Sequence, residues 1–285
     1  MAPENIVFGA GSVEVASRII LAVTNPGDRV MFAWRSFEAY PLLVTTAGAV
    51  PQPVPLAADG GHDLPAMAAA VGSNTRVVFL CNPNNPTGAV LSSAAVDSFI
   101  RSVPADVLIV LDEAYVHFNR DADTAVGIDM FRRYPNVAVL HTFSKAYGLA
   151  GLRLGYAIAA PELATALRKV AVPFGVTSLA QQAGLASLRA EDELQERIHV
   201  LVAERRRVHT AMLEAGLPVL PSEANFLWLD SGERTAALAE LFEKNALSVR
   251  VFPGEGIRVT IGSPEANNRI LAVARHAAAL LAPQH

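Results

Sequence analysis

An α/β fold is what this chain of 285 residues predicts, and three observations carry that prediction. Short, continuously apolar runs recur through the first two-thirds of the chain, and segments with helical spacing separate them. The composition is 52% hydrophobic and only 18% charged, enough apolar material for a large core divided between two domains.

The runs DRVMF (28–32), TRVVFLCN (75–82), DVLIVLDEAY (106–115), NVAVLHTF (136–143) and LRLGYAIA (152–159) are too apolar for strands with one wet face. They suit a sheet covered on both sides. Between them, VEVASRIILAV (13–23), LPAMAAAV (64–71) and SSAAVDSFIRS (92–102) have helical spacing, the last opening on a serine suited to capping. From about Ser178 to Ala215 a long, charged, amphipathic pattern without proline reads as one helix. The remainder, PVLPSEANFLWLD, RTAALAELFEKNA and LSVRVFPGEGIRVTIG with a final helix, reads as a small α+β unit. The expected organisation is an α/β domain over 1–178, a connecting long helix over 179–215 and a C-terminal domain over 216–285.

Charge and cysteine content exclude several classes. A net charge of −4, with no Lys/Arg-rich run, argues against a nucleic-acid partner. Cys81 is the single cysteine, so an intrachain disulfide and a Cys-rich zinc site are ruled out. With no leader and no membrane-length apolar span, the expected compartment is the cytoplasm.

In an α/β sheet, ligands gather where strands end and helices begin, so polar residues at those points carry the functional reading. FGAGSVEVA (8–16) sets Gly9, Ala10 and Gly11 before a helix, which is either a tight turn or an anion site at a helix N-terminus. CNPNNPTGAVLS (81–92) is either a rigid turn or a loop that holds the amide of Asn85 against a ligand. LDEAYVHF (111–118) ends an aliphatic run on Asp112, a carboxylate that is costly to bury without a cation; Tyr115 can offer its hydroxyl to the same pocket. The alternative makes Asp112 a helix cap and Tyr115 a core ring.

In HTFSKAYGLAGLRLGY (141–156), Lys145 stands among small and apolar residues, an environment that turns a lysine into a Schiff-base nucleophile. Thr142, Ser144 and Arg153 supply hydroxyls and a planar fork suited to a phosphate. A lysine, a phosphate cradle and a buried carboxylate together describe a pyridoxal 5′-phosphate site, the carboxylate keeping the pyridine nitrogen protonated. Cys81 reads as a buried strand thiol and Trp228 as packing under the small domain. His117 and His141 lack a second histidine at ligand spacing, so no metal is expected.

NPNNPTG, DEAY and TFSKAYGLAGLRLGY, in that order and spacing, resemble the fold-type-I, pyridoxal-phosphate-dependent aminotransferases, specifically the histidinol-phosphate aminotransferase family, over essentially the whole chain. WRSFEAYP (34–41) and VRVFPGEGIRVTIG (249–262) are most similar to its actinobacterial aromatic (phenylalanine) aminotransferases. The resemblance implies a mostly parallel, seven-stranded sheet between helices, a smaller C-terminal domain and a homodimer. It implies that Lys145 bonds the cofactor and later moves the proton between Cα and C4′, while Asp112 pairs with the pyridine nitrogen. Asn85 and Tyr115 would bond the phenolic oxygen, and Phe37 would stack on the ring. Thr142, Ser144, Arg153 and the backbone of Gly9, Ala10 and Gly11 would hold the phosphate. Arg258 would grip the substrate's carboxylate, with Arg250 either a second anion contact or a solvated strand residue. Family members carry several tens of residues before the glycine-rich turn, on which this chain nearly begins, so part of the substrate pocket and of the dimer contact is expected to be missing. The expected reaction is ping-pong transfer of an aromatic amino acid's nitrogen to 2-oxoglutarate. Histidinol phosphate is the alternative donor, and a decarboxylase on the same cofactor or a non-catalytic relative that binds it are the rivals.

Overall fold

The computed structural model describes residues 1–281. Seven strands form the larger sheet: β1 (Ile6–Gly9), β2 (Arg29–Trp34), β3 (Val50–Pro55), β4 (Thr75–Cys81), β5 (Leu108–Asp112), β6 (Val137–Thr142) and β7 (Gly155–Ile158). Their order is β1-β7-β6-β5-β4-β2-β3. The five strands from β3 to β6 run parallel; β7 is antiparallel to β6, and β1 to β7.

Six helices cover this sheet: α1 (Ser12–Val23), α2 (Ala39–Thr46), α3 (Leu64–Ala70), α4 (Ser93–Ser102), α5 (Gly127–Arg133) and α6 (Pro161–Lys169). Side chains alternate across a strand, so β4 sends Val77 and Phe79 to one face and Val78 and Leu80 to the other. The first face packs on Ile19 and Ile20 of α1, Tyr40 and Val44 of α2 and Leu167 of α6. The second packs on Met67 of α3, Phe99 of α4 and Met130 of α5. Both faces are dry, which is why the strands read as unbroken apolar runs. Ser92 caps α4 as expected, its Oγ accepting from Ala95 N at 3.2 Å.

The stretch expected to be one long helix is two, α7 (Ser178–Arg189) and α8 (Glu191–Glu214), which meet at Ala190. Glu191, Asp192 and Glu193 fill the first turn of α8, where the helix dipole favours negative charge, so the second helix starts at its own acidic N-terminus. α8 serves two cores. Leu194, Ile198 and Val202 pack with Tyr115 and Phe118, whereas Val208 and Met212 belong to the core of the second sheet. That sheet is antiparallel, in the order β8 (Phe226–Leu229), β10 (Gly256–Thr260), β9 (Arg250–Phe252), and it packs on α9 (Thr235–Lys244) and α10 (Pro264–Leu281). Trp228 lies in it, edge-on to Phe252 at 5.2 Å.

At the crossing between the two units, Arg205 and Glu223 anchor the second to the first. Arg205 of α8 is 2% exposed; its guanidinium donates to Phe118 O, Ala224 O and, at 2.7 Å, to Glu223 Oε2. Glu223 N in turn donates to Gly88 O at 2.9 Å, which ties the chain's crossing between units to the NPNNPTG loop.

Candidate active site

Parallel strands point their C-terminal ends the same way, and three of them end on a polar or sulfur-bearing residue: Cys81 on β4, Asp112 on β5 and Thr142 on β6. A cavity of about 160 Å³ opens there. Phe37, Asn85, Asp112, Tyr115, Thr142, Ser144, Lys145 and Arg153 line it, so eight of the residues singled out from sequence converge on one space.

The floor is Asp112, buried at the end of β5. Its Oδ2 accepts from the Tyr40 hydroxyl at 2.8 Å and its Oδ1 from Ala114 N at 3.3 Å. Burial raises its pKa, and these two donors pull the other way. A cation beside it would complete what the donors begin. Tyr40 was not singled out from the sequence. The signal lay in WRSFEAYP: Phe37, just before α2, and Tyr40, in its first turn, are three residues apart, and their rings meet edge-on at 5.5 Å.

Lys145 follows β6 in the turn made by Ser144, whose N donates to Thr142 Oγ1 at 3.1 Å. Its Nζ sits 5.2 Å from the centre of the Tyr115 ring. Tyr115 meets Phe226 edge-on at 5.0 Å, and the Arg258 guanidinium lies 4.9 Å from the centre of the Phe226 ring. Desolvation lowers the Lys145 pKa and the nearby Arg258 charge lowers it further. The Tyr115 hydroxyl is pushed up by burial.

At the other end of the cavity, Ser12 and Val13 open α1, whose first N–H groups have no intrahelical acceptor. Arg153, in the left-handed region at φ 55°, turns its guanidinium towards this N-terminus, donating to Ala150 O at 2.9 Å and to Ala10 O at 3.4 Å. Gly11 leaves the room for it: at φ 86°, a Cβ there would lie 2.3 Å from Arg153 Nη2. Two of the expected backbone donors are engaged elsewhere. Ala10 N donates to Glu14 Oε2 at 3.2 Å and Gly11 N to Gly9 O at 2.8 Å, and the residues that line the cavity are the next two, Ser12 and Val13. The glycines shape the turn.

Asn85, on the loop after β4, lines the cavity, and Arg258 of β10 reaches it from the second sheet. Arg258 Nη1 donates to Asn85 Oδ1 at 2.5 Å, and its Nε is buried with no partner among the described residues. Arg250 sits directly opposite Arg258 in the β9–β10 pair, but its guanidinium is taken by Glu38 at 2.9 Å, so it is not brought to the cavity. Asn225 lines a neighbouring groove together with Lys145.

Beside the site, His141 bonds Glu113 at 2.8 Å and stacks on Tyr156; Glu113 also accepts from Gly127 N. Sequence reading gave His141 no partner, because Glu113 reaches it only through the β5–β6 register. Cys81 lies in the lining with its thiol pushed up to about 12 by burial, an inert form. Among the described residues, no group of three or more His, Cys, Asp and Glu side chains could hold a metal, and no helix is long and apolar enough to cross a membrane.

These features fit a phosphate-bearing aromatic aldehyde: an amine of lowered basicity in the middle, a buried carboxylate at one end, and amides, hydroxyls and an arginine at the other. The comparisons with known proteins agree. The model of the family described as aminotransferase class I and II matches residues 1–274. The aromatic amino acid aminotransferase of Streptomyces coelicolor is 54% identical over 269 residues, which cover 94% of this chain and 75% of that protein. That of Cutibacterium acnes is 52% identical over 266 residues, covering 93% and 76%. A crystal structure of histidinol-phosphate aminotransferase from Sinorhizobium meliloti, in complex with pyridoxal-5′-phosphate, superposes with a TM-score of 0.89 at 31% identity, covering 99% of this chain and 78% of that one. The chain belongs to the class I and II aminotransferases.

Proposed function

We propose that this enzyme uses pyridoxal 5′-phosphate to transfer the amino group of an aromatic, phenylalanine-like amino acid to 2-oxoglutarate, in two half-reactions at one site. The observation that carries the reading is that Lys145 shares one cavity with Asp112 and Arg153, with the charge of Arg258 near enough to lower its basicity. When bound, the cofactor supplies an electron sink for the pair left on the substrate's Cα.

The protein's own residues do the rest. Ser12 and Val13 N–H, Thr142, Ser144 and Arg153 bind the phosphate. Asp112, held by Tyr40, accepts from the pyridine N–H and keeps that proton in place. Asn85 and Tyr115 bond the phenolic oxygen, and Phe37 covers the ring. Lys145 would hold the cofactor's aldehyde, and its amine would take up and hand back the proton that leaves the substrate's Cα. Its lowered basicity suits a base that must be neutral near physiological pH. Arg258 donates a fork to the substrate carboxylate; its unpartnered Nε supports that role.

The aromatic donor is supported by the names of the relatives at 50–54% identity. A histidinol phosphate donor is the second reading, favoured by the structural likeness to the Sinorhizobium meliloti enzyme. Steady-state kinetics with each donor and 2-oxoglutarate separate them. Phenylalanine is expected to have the higher kcat/KM, and a preference of about a hundredfold for histidinol phosphate overturns the choice. We also propose a cytoplasmic homodimer. The exposed apolar side chains of Phe8, Phe174, Leu179, Leu185 and Leu188 support association with a second copy, and sedimentation equilibrium tests it.

A further inference from the structure

The segment Trp34–Glu38, between β2 and α2, is bolted in three directions. Ser36 Oγ donates to Asn84 Oδ1 at 2.7 Å, and Asn84 Nδ2 donates back to Arg35 O at 3.2 Å, which ties the segment to the loop that carries Asn85. Phe37 turns into the cavity. Arg35 and Glu38, on either side, reach across to the β9–β10 hairpin.

Those two contacts are ion pairs. Arg35 Nε donates to Glu255 Oε2 at 2.8 Å, and its Nη2 meets the other carboxylate oxygen, so the pair is bidentate. The guanidinium lies over aromatic rings from both sides of the seam, 4.2 Å from the centre of Trp34 and 5.5 Å from that of Phe252. Glu255 occupies the hairpin turn, its N donating to Phe252 O and its O accepting from Gly232 N, both within the second unit. On the hairpin's other arm, Arg250 pairs with Glu38. Arg258 stands directly opposite Arg250 in the hairpin, and its one hydrogen bond to the larger unit goes to Asn85.

We propose that Arg35 is a positioning residue for the substrate-carboxylate grip: by clamping Glu255 it fixes the β9–β10 hairpin, and with it the Arg258 fork, against the loop that presents Phe37. The same clamp therefore sets the ring cover and the carboxylate anchor together. Orientation of this kind is sensitive, since a displacement of about 1 Å in a positioning group can cost two orders of magnitude. The bidentate geometry and the stacking on Trp34 require an arginine; a lysine provides neither.

The inference rests on the proposed reading for its ligand, and the test has one arm that does not. In the holoenzyme, Arg35→Gln, Glu255→Gln and the double variant are titrated by calorimetry with 3-phenylpropionate, an aromatic carboxylate with no amine to react. Each single variant is expected to bind it about fivefold more weakly, and the double variant also about fivefold, because the two residues act as one pair. Losses that multiply to about 25-fold in the double variant, or singles within about twofold of the parent, overturn the proposal. Melting temperature is followed in parallel: a purely structural role lowers it and leaves affinity unchanged, which also overturns the proposal. The second arm is amide hydrogen exchange over 252–257 without ligand. Exchange several-fold faster in Arg35→Gln supports the clamp even if the parent fails to bind 3-phenylpropionate, a failure that would count against the aromatic reading alone; unchanged exchange refutes the clamp.

Discussion

The cavity has a floor and a seam, and they are built on opposite principles. On the floor, Tyr40, Cys81 and Asp112 are almost fully enclosed, and each Asp112 oxygen has a donor from the larger unit, Tyr40 of α2 and Ala114 just after β5. Along the seam, the groups are arginines with residual water contact, paired with side chains 173 to 220 positions away in the chain. The floor keeps a costly carboxylate dry and immobile, as a fixed electrostatic partner should be. Of the seam's cations, Arg258 keeps an unpartnered Nε, as a grip on a diffusing acid requires. The difference teaches that chemistry and substrate choice belong to separate parts of one pocket, so variants in each should fail in different ways.

The largest failure is expected on the floor side. Lys145→Ala should lower kcat by at least about a thousandfold, the scale of losing a positioned acid–base group, while phosphate-cradle contacts still retain some cofactor. Turnover with equilibrium dialysis of pyridoxal phosphate reads both quantities. Wild-type turnover in this variant would remove the basis for the assignment.

Next in size is a break where the seam is hinged. Gly88 has φ 78°, and a Cβ on it would lie 2.0 Å from Ser222 Oγ and 3.0 Å from the Ser222 backbone. Gly88→Ala combines left-handed strain with overpacking, a loss of about 3 kcal/mol. The urea midpoint measures it. An unchanged midpoint would mean that the crossing at Ser222 and Glu223 yields freely.

The comparison also explains what the sequence could disclose. The strand-end residues of the floor were legible: Asp112, Cys81 and Thr142 end apolar runs, so position along the chain predicted position in the pocket, whereas Tyr40, on α2, has no such mark. The seam was not, because nothing local in Arg35 or Glu38 points to a hairpin more than 200 residues away; Arg250 looked like a candidate anion contact for the same reason. Two elements were hidden by composition. β3 reads VPQPVP, and prolines argue against a strand, yet Pro51, Pro53 and Pro55 are spaced by two, so their missing N–H groups all fall on one side. β3 pairs only with β2, and that side is the open edge. β1 is too short to carry a pattern, at four residues.

A smaller effect separates the two halves kinetically. Arg258→Gln should remove a charge-assisted fork worth about 1.5–3 kcal/mol, a loss of about ten- to a hundredfold in kcat/KM, expressed in KM for both acids. Steady-state kinetics with each substrate varied checks it. If kcat fell and KM did not, Arg258 would belong functionally with the floor.

The smallest expected effect tests whether the seam's charge is felt on the floor. Lys145 titrates below the ordinary lysine value of 10.5, first because it is desolvated and second because Arg258 is near. A depressed folded-state value means that the native chain binds fewer protons than the unfolded one between the two values, so this lysine makes stability rise with pH across that window. It also leaves a larger neutral fraction at any lower pH. Arg258→Gln takes away the second cause and leaves the first, so the Lys145 midpoint should move up without reaching 10.5. Lys145, Lys169 and Lys244 are the chain's lysines, and 13C-methyl labelling of their amines lets NMR follow each one in the cofactor-free protein. A midpoint that stays where it was would show that the arginine's field does not reach the amine. Burial alone would then tune the base, and the two regions would be electrostatically independent.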